Sequence, residues 1–339
     1  MKQFKCALFN SDVKDLTCFE FIQEEIVFEN FEINNKAKFS KTNIKYKVLF
    51  EKSLIISDDK IPLIIPIKDM PSLLEFTLNK LIEHEVTKIC NVIVVDDRSE
   101  EDIEKICQKY DFVSYIRVDN DKGFNYSILA NIAAYISHCL GFEEIIFWNS
   151  DMWPDNSFVL KKLIDLHREN KCTISGTKLL YPKKSWNGKR NSQNIINHFP
   201  DRQDKWRGTV QFGGSLFIPH LSTLIPMHLK RFAPLDNPLV NSNYTTFFVT
   251  GAYCFMDLKW LISDGGFNPS LSKVFNDVDI CLRATEQEKN VMYFGKDLYL
   301  EHDESVNLSR ENKMDKQFTS DSILYSKIWD NNRIMRALK

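Results

Sequence analysis

The sequence predicts an α/β fold: a Rossmann-like, mostly parallel sheet flanked by helices, with a small β-rich appendage at the N-terminal end. Three observations carry that expectation. From Ile61 onward, short apolar runs alternate with stretches whose apolar residues recur at helical spacing. Before residue 60 the chain is charged and alternates at period two. No repeat and no Pro/Gly/Ser-rich linker divides the 339 residues, so one large core plus one modest appendage is the expected organisation.

In the first segment, Ile44, Tyr46, Val48 and Phe50 interleave with Lys45, Lys47 and Glu51, the pattern of exposed strands, and residues 1–60 are set apart as the appendage. The main domain is expected over residues 61–310. Its strand candidates are IPLIIPI (61–67), NVIVVD (91–96), FVSYIRV (112–118) and EEIIFWN (143–149), apolar enough to be covered on both faces. SLLEFTLNKLIEHE, EEDIEKICQKY and NYSILANIAAYISHCL read as the helices between them. Residues 311–339 read as a C-terminal helix. Phe318, Tyr325, Ile328, Met335 and Leu338 recur there at helical spacing among lysines and arginines. Packing on the protein's own core is expected for this stretch, with a membrane surface or partner as the alternative.

Composition excludes some functions. The 44 basic and 46 acidic residues nearly cancel, so no global field recruits nucleic acid and any phosphate site is local. MKQFKCALFNSDVKDLTCFEF lacks the apolar core of a signal peptide, and no window holds the roughly 18–20 apolar residues that span a bilayer. A cytoplasmic protein follows. The eight cysteines form no C-x-x-C pair and read as reduced core residues.

Ligands of such sheets bind at the carboxyl ends of the strands. The residues there are Lys68 and Asp69, then Asp96 to Ser99, then Asp119 to Gly123, then Asn149 to Asp151. A dinucleotide fold would show G-x-G-x-x-G and a P-loop G-x-x-x-x-G-K-[ST], and neither occurs. Carboxylates facing a diphosphate need a divalent cation between them, and a hard ion such as Mg2+ or Mn2+ suits the role.

Six stretches occur in order: VVDDRSEED (94–102), DNDKGFNYSILANIA (119–133), IIFWNSDMWP (145–154), VTGAYCFMDLKWLISDGGFNPSL (249–271), FNDVDICLRA (275–284) and LYLEHDESV (298–306). Together they resemble the family 2 glycosyltransferases of GT-A fold, and within them the bacterial rhamnosyltransferase-like branch, over roughly residues 61–310. The resemblance implies a nucleotide-binding half at 61–155 and an acceptor half at 156–310. In VVDDRS it places Asp96 and Asp97 at the nucleoside, with a helix N-cap as the local alternative for Asp97 or Ser99. Gly123 and Asn131, in DNDKGFNYSILANIA, and Asn149 join the donor-binding set. NSDMW stands where the family has D-x-D, so Asp151 matches the metal-ligating aspartate while Asn149 replaces the first acid; a plain turn is the alternative. FNDVDICLRA matches the segment carrying the catalytic base, which gives that role to Asp277, with Asn276 in place of the usual acid. Asp279 would pair with Arg283 at i, i+4. His302 takes the place of a metal-binding histidine.

Trp260 and Phe267 offer apolar faces for a sugar ring, although such residues usually belong to the core. The polar insert 182–209 suits a flap over donor or acceptor, or a solvated loop. The implied activity is inverting, metal-dependent transfer from a nucleotide diphosphate sugar to a hydroxyl of a glycan or lipid-linked glycan, in bacterial surface polysaccharide synthesis. Peripheral contact at the inner face of the cell membrane is part of that picture. The rivals are an inactive GT-A-like binding module, favoured by Asn149 and Asn276, and a sugar-phosphate nucleotidyltransferase, disfavoured by KDMPS after the first strand.

Overall fold

The structure, a computed structural model, describes residues 56–118, 123–184, 186, 206–220, 223–303 and 314–338, together with four strands before residue 50: β1 (Phe4–Lys5), β2 (Asp12–Val13), β3 (Glu24–Phe28) and β4 (Ile44–Leu49). At the centre of a ten-stranded sheet, β5 (Ile61–Ile67), β6 (Cys90–Asp97), β7 (Val113–Val118) and β8 (Glu144–Trp148) lie parallel in the order β8-β5-β6-β7. Every residue of β5 and β6 is buried, which is why both read as continuous apolar runs and not as alternating ones. Pro62 and Pro66 offer no N–H to a ladder. They bracket Leu63 and Ile64, the two residues through which β5 pairs with β8, whereas β6 pairs along the whole strand. The connecting helices are α1 (Pro71–Glu83), α2 (Ile103–Cys107) and α3 (Tyr126–Cys139).

Beyond β8 come β9 (Met152–Pro154), α4 (Val159–Glu169), β10 (Ile174–Thr177), β11 (Leu179–Leu180), β12 (Val210–Phe212), β13 (Ser215–His220), β14 (Thr223–His228) and β15 (Asn243–Thr245). They are followed by β16 (Tyr253–Asp257), α5 (Leu258–Ser263), α6 (Asn276–Glu286), β17 (Val291–Phe294), β18 (Leu300–His302), α7 (Met314–Ile328) and α8 (Asn331–Ala337). Strand β16 pairs antiparallel with β8 and continues the large sheet through β10, β17 and β15. At the other edge β4 and then β3 add antiparallel to β7, with Val48 opposite Val118. The α/β sheet with a parallel centre is therefore present, and antiparallel strands extend both of its flanks. A second sheet, ordered β12-β11-β18-β9, is small and bears directly on the site.

Among the described residues the main apolar cluster runs from Ile61 to Ala337, with Ile56 at its margin, and a small second cluster holds Leu180, Val210 and Val240. Five cysteines inside it, Cys90, Cys107, Cys172, Cys254 and Cys281, are free buried thiols. The C-terminal stretch is two helices, because Asp330 caps α8 by accepting from the Arg333 backbone N–H at 2.8 Å. Tyr325, Trp329 and Ile334 are buried against the core. Phe318 and Met335, on the same expected stripe, stay exposed. No helix among the described residues is long and apolar enough to cross a membrane.

Two outcomes are expected. A chain starting at Ser57 should unfold cooperatively, because it keeps the whole described cluster from Ile61 to Ala337; a non-cooperative thermal melt would place the earlier strands in the core. The second concerns His167, buried on α4, with Nδ1 2.7 Å from Ser175 Oγ and its ring stacked on Phe255. Burial lowers its pKa to about 4 from 6.5. The unfolded chain therefore binds the extra proton first as pH falls, so stability present above pH 6.5 declines by up to roughly 3 kcal/mol towards pH 4. Denaturant melts across that range should show the slope, and His167→Phe should flatten it.

Candidate active site

The carboxyl ends of β5 and β6 are knitted together by polar groups. Asp69 and Met70 both adopt left-handed backbone. That turn lets Asp69 Oδ1 accept from the backbone N–H groups of Glu100 at 2.8 Å and Glu101 at 3.1 Å, while its own N–H donates to Ser99 Oγ at 2.7 Å. Asp96 is fully buried and accepts from Tyr115 Oη at 2.7 Å, Arg117 Nη1 at 3.1 Å, the Ser99 backbone N–H at 3.1 Å and the Ser99 hydroxyl. Burial holds its carboxyl above the ordinary value against the pull of Ser99, Tyr115 and Arg117. With both oxygens so engaged, Asp96 fixes the turn that carries its neighbour.

That neighbour, Asp97, accepts at Oδ2 from the Asn125 backbone N–H at 3.1 Å, which joins the end of β6 to the start of α3. Asn125 caps α3 through Ile128 N–H and donates to Pro269 O at 2.9 Å. Gly123, two residues earlier, has φ +90, a conformation open to glycine and strained for other residues. The cap of α2 is Asp102, which accepts from Lys105 N–H, so neither Asp97 nor Ser99 serves as that cap. Asp119 to Lys122 lie outside the described residues. Asn131 was expected at the donor and sits elsewhere. Its amide is committed to the backbone of Phe267, donating to O at 2.8 Å and accepting from N–H at 2.7 Å, so it pins the Gly266–Phe267 turn onto α3.

The candidate metal pair, Asp151 and His302, is assembled by the small sheet. Strand β9 follows the turn Asn149-Ser150-Asp151, and the antiparallel pairing of β18 sets His302 opposite Met152. His302 Nε2 thereby comes 3.1 Å from Asp151 Oδ1 and 3.4 Å from Asn149 Nδ2, with Asp151 and His302 both buried. Asp303 N–H donates to Asp151 O at 2.9 Å and Thr77 Oγ1 to Ser150 O at 2.6 Å, so the turn is held on both sides.

Gln211, which sequence reasoning missed, sets the histidine. Its Nε2 donates to His302 O at 3.2 Å, which leaves Oε1 as the acceptor 2.6 Å from His302 Nδ1. Nδ1 therefore carries a proton, and Nε2 is aimed at a carboxylate oxygen 3.1 Å away. A histidine nitrogen and a carboxylate oxygen aimed at one point in a buried site can share either a proton or a cation, with the neighbouring amide holding the other ring nitrogen. Among the described residues no cluster of three or more His, Cys, Asp or Glu groups forms. A divalent ion at Asp151 and His302 would thus complete its shell with water and donor phosphates, as Mg2+ commonly does.

Asp277 stands in the first turn of α6, partly exposed. Its Oδ2 accepts from Gly251 N–H and its Oδ1 from Val278 N–H, each at 2.8 Å. Burial raises its pKa, opposed by those two donors and by the charge of His228. A carboxylate lifted towards neutrality is a better proton acceptor than an ordinary one. Tyr126 Oη donates to Gly251 O at 2.9 Å and so steadies the turn that Asp277 holds. His228, also missed in the sequence, ends β14 with Nδ1 3.3 Å from Gln211 O, which places it between the histidine clasp and Asp277. Asp279 is fully buried and holds Arg283 Nε at 3.0 Å and Trp329 Nε1 at 2.8 Å. Burial pushes its carboxyl up and the Arg283 guanidinium down.

Trp260 and Phe267 are buried and offer no face to a sugar: Trp260 Nε1 donates to Gln287 and Phe267 packs edge-on against Tyr126 and Phe147. Most of the insert 182–209 lies outside the described residues. A polar groove near Asp58, Lys60, Glu144 and Arg168 opens at the beginnings of β5 and β8, the other end of the sheet from these groups.

The architecture is the GT-A fold of glycosyltransferases. The chain superimposes on the crystal structure of GalNAc-T7 with UDP, GalNAc and Mn2+ with a TM-score of 0.55 at 11% identity, covering 81% of this chain and 48% of that one. Residues 63–220 match the model of glycosyl transferase family 2. Asp277 and His302 lie beyond the matched residues. Hyaluronan synthase of Pasteurella multocida is 24% identical over 204 residues, 58% of this chain and 20% of that protein's length. The crystal structure of S. aureus TarS 1-349 gives a TM-score of 0.45 at 15% identity, over 80% of this chain and 73% of that one. The chain spans about a fifth of the length of the curated relative it matches.

Gln211→Leu should keep the small sheet while releasing His302 Nδ1. Manganese affinity, read by spin-resonance titration, should fall by roughly 10–100-fold. An unchanged affinity would mean that Gln211 does not orient the ligand.

Proposed function

We propose that this chain is an inverting, metal-dependent glycosyltransferase of the rhamnosyltransferase-like branch. It moves a sugar from a nucleotide diphosphate donor to a hydroxyl of a glycan or lipid-linked glycan in bacterial surface polysaccharide synthesis, in the cytoplasm at the inner face of the membrane. The observation that carries the reading is the meeting of Asp151 and His302 Nε2 at 3.1 Å, with Nδ1 held by Gln211, in a fold that sets Asp97 at the end of β6 and Asp277 in the first turn of α6. The GT-A fold and the family 2 match support the donor class.

In this reading Asp97 and Asn149 orient the donor's nucleoside and diphosphate, while Asp151 and His302 hold Mn2+ or Mg2+. The ion, when bound, supplies positive charge to the departing diphosphate. Asp277 accepts the proton of the acceptor hydroxyl as that oxygen attacks the anomeric carbon. Holding donor and base in one turn-braced frame shortens the approach between reacting atoms, an effect as large as the chemistry itself. An inactive binding module is the rival that Asn149 and Asn276 favour; donor hydrolysis by the purified protein with manganese separates the two.

Asp277→Asn should lower turnover by roughly 10²–10⁴-fold, with donor affinity nearly unchanged. It also turns an amide N–H₂ towards one of two backbone donors, for a stability loss of about 1 kcal/mol. Asp279→Asn should instead destabilise by about 3 kcal/mol, by weakening the buried Arg283 pair, and leave the folded fraction active. Steady-state kinetics and melting of both variants decide it, and loss of turnover in a stable Asp279→Asn with an active Asp277→Asn would assign the base to Asp279.

A further inference from the structure

The surface beside the metal pair carries three aromatic rings that the reaction does not use. Tyr181 follows β11, which pairs with β18 just before His302. Its ring is stacked with Phe232 at 5.7 Å between centroids and 8° between planes, and Trp206 stacks on Phe232 at 4.0 Å. Arg231 lies 5.3 Å above the Phe232 ring and donates to the Tyr181 hydroxyl through Nε at 2.9 Å. Tyr181 and Trp206 are half-buried and Phe232 is 37% exposed. Stacked aromatic clusters normally belong to cores, so one held rigid at the surface is a ready-made contact face.

The backbone under the cluster is strained to present it. Phe232 has φ 70 and Lys230 φ 51, left-handed values unusual for a bulky residue. The turn is held in that shape by Phe232 N–H donating to Val210 O at 2.7 Å, Val210 N–H to Ala233 O at 2.9 Å and Ala233 N–H to Lys230 O at 3.0 Å. Strain of this kind persists where the chain must aim a side chain.

Cations predominate in the described segments that carry the stack. Residues 181–184 and 206–233 contain Lys183, Lys184, Arg207, Lys230 and Arg231 and no aspartate or glutamate. Arg207 donates to Pro182 O and Lys183 O, and its charge reaches Asp303, the residue after His302. The basic aromatic surface therefore borders the candidate metal pair.

We propose that the Tyr181, Trp206 and Phe232 stack is a binding platform for a carboxylate-bearing oligosaccharide, with sugar rings lying against the aromatic cluster and carboxylates meeting the lysines and arginines around it. Calling that oligosaccharide the acceptor rests on the function proposed above; the platform itself does not. The rings supply contact area at little entropic loss, and the cations discriminate uronic acids from neutral sugars.

Calorimetry on the full chain with a hexamer of galacturonic acid and with neutral maltohexaose tests this, alongside nucleoside diphosphate binding in manganese. The uronate should bind at least roughly tenfold tighter than the neutral hexamer, and the preference should shrink as salt rises. Phe232→Gly removes the ring while relieving the left-handed backbone, so uronate affinity should fall by about fivefold or more with the melting temperature near that of the parent. Arg231→Gln should narrow the preference between the two hexamers. Equal binding of both, binding of neither, or parental uronate affinity in a folded Phe232→Gly protein would overturn the platform. Nucleotide binding without uronate preference removes the platform and leaves the transferase reading, whereas uronate preference without nucleotide binding does the reverse.

Discussion

The site depends on a short antiparallel pairing, that of β18 with β9. Only three residues of each strand take part, yet the register sets His302 opposite Met152 and so beside Asp151. A slip of one residue would turn His302 to the other face of its strand and separate the pair. Two further constraints hold that register. Leu179 and Leu180 pair with Leu300 and Glu301 from the other side, and the Gln211 side chain grips both the ring and the carbonyl of His302. Because Gln211 lies on β12 and its backbone oxygen meets His228, a single strand couples the candidate metal pair to a histidine whose charge reaches Asp277.

The second support is the C-terminal pair of helices, which braces α6, the helix that carries Asp277. Asp321 on α7 accepts from the backbone N–H groups of Lys273 and Val274, at 2.9 Å and 3.1 Å, in the segment leading into α6. Tyr325 stacks on Phe275, the residue that precedes α6, and Trp329 donates to Asp279. Asp279 and Arg283 then lock α6 to the turn at Asp264 and Gly266, to which Asn131 is also tied. Two residues of one short motif thus divide the labour: Asp279 faces the interior and fastens the helix, and Asp277 faces the cleft. A buried pair of this kind adds little net stability, but removing one partner strands the other charge.

Much of this was legible in the sequence, for identifiable reasons. The parallel strands announced themselves because full burial forces unbroken apolar runs, as in IPLIIPI and NVIVVD. The acidic strand ends were visible as a break in those runs, and the Asp279–Arg283 pair followed from helical spacing. Gln211 and His228 gave no such signal, because their importance lies in contacts across the fold, 91 residues from Gln211 to His302. Asn131 misled for the opposite reason: an amide in a recognisable motif reads as a ligand contact until its partners are seen to be backbone. Trp260 and Phe267, attractive as sugar faces by residue type alone, are core residues once burial is known.

Left-handed backbone at residues other than glycine marks where position outweighs local comfort. Asp69 and Met70 at the end of β5, Arg98 at the end of β6, Phe275 before α6 and Phe232 beside the aromatic cluster all adopt it. Each such residue is disfavoured by roughly 1–2 kcal/mol relative to ordinary backbone. If these turns served only to reverse the chain, glycine would be the easier choice, and Gly123, Gly265 and Gly266 show that the fold uses it. Three of the non-glycine cases carry or adjoin a side chain with a fixed partner. Asp69 reaches the backbone of the β6–α2 turn, Phe275 meets Tyr325, and Phe232 carries the stack. The strain is local and the contacts that sustain it are long-range, which ties the geometry of the cleft to the integrity of the whole domain.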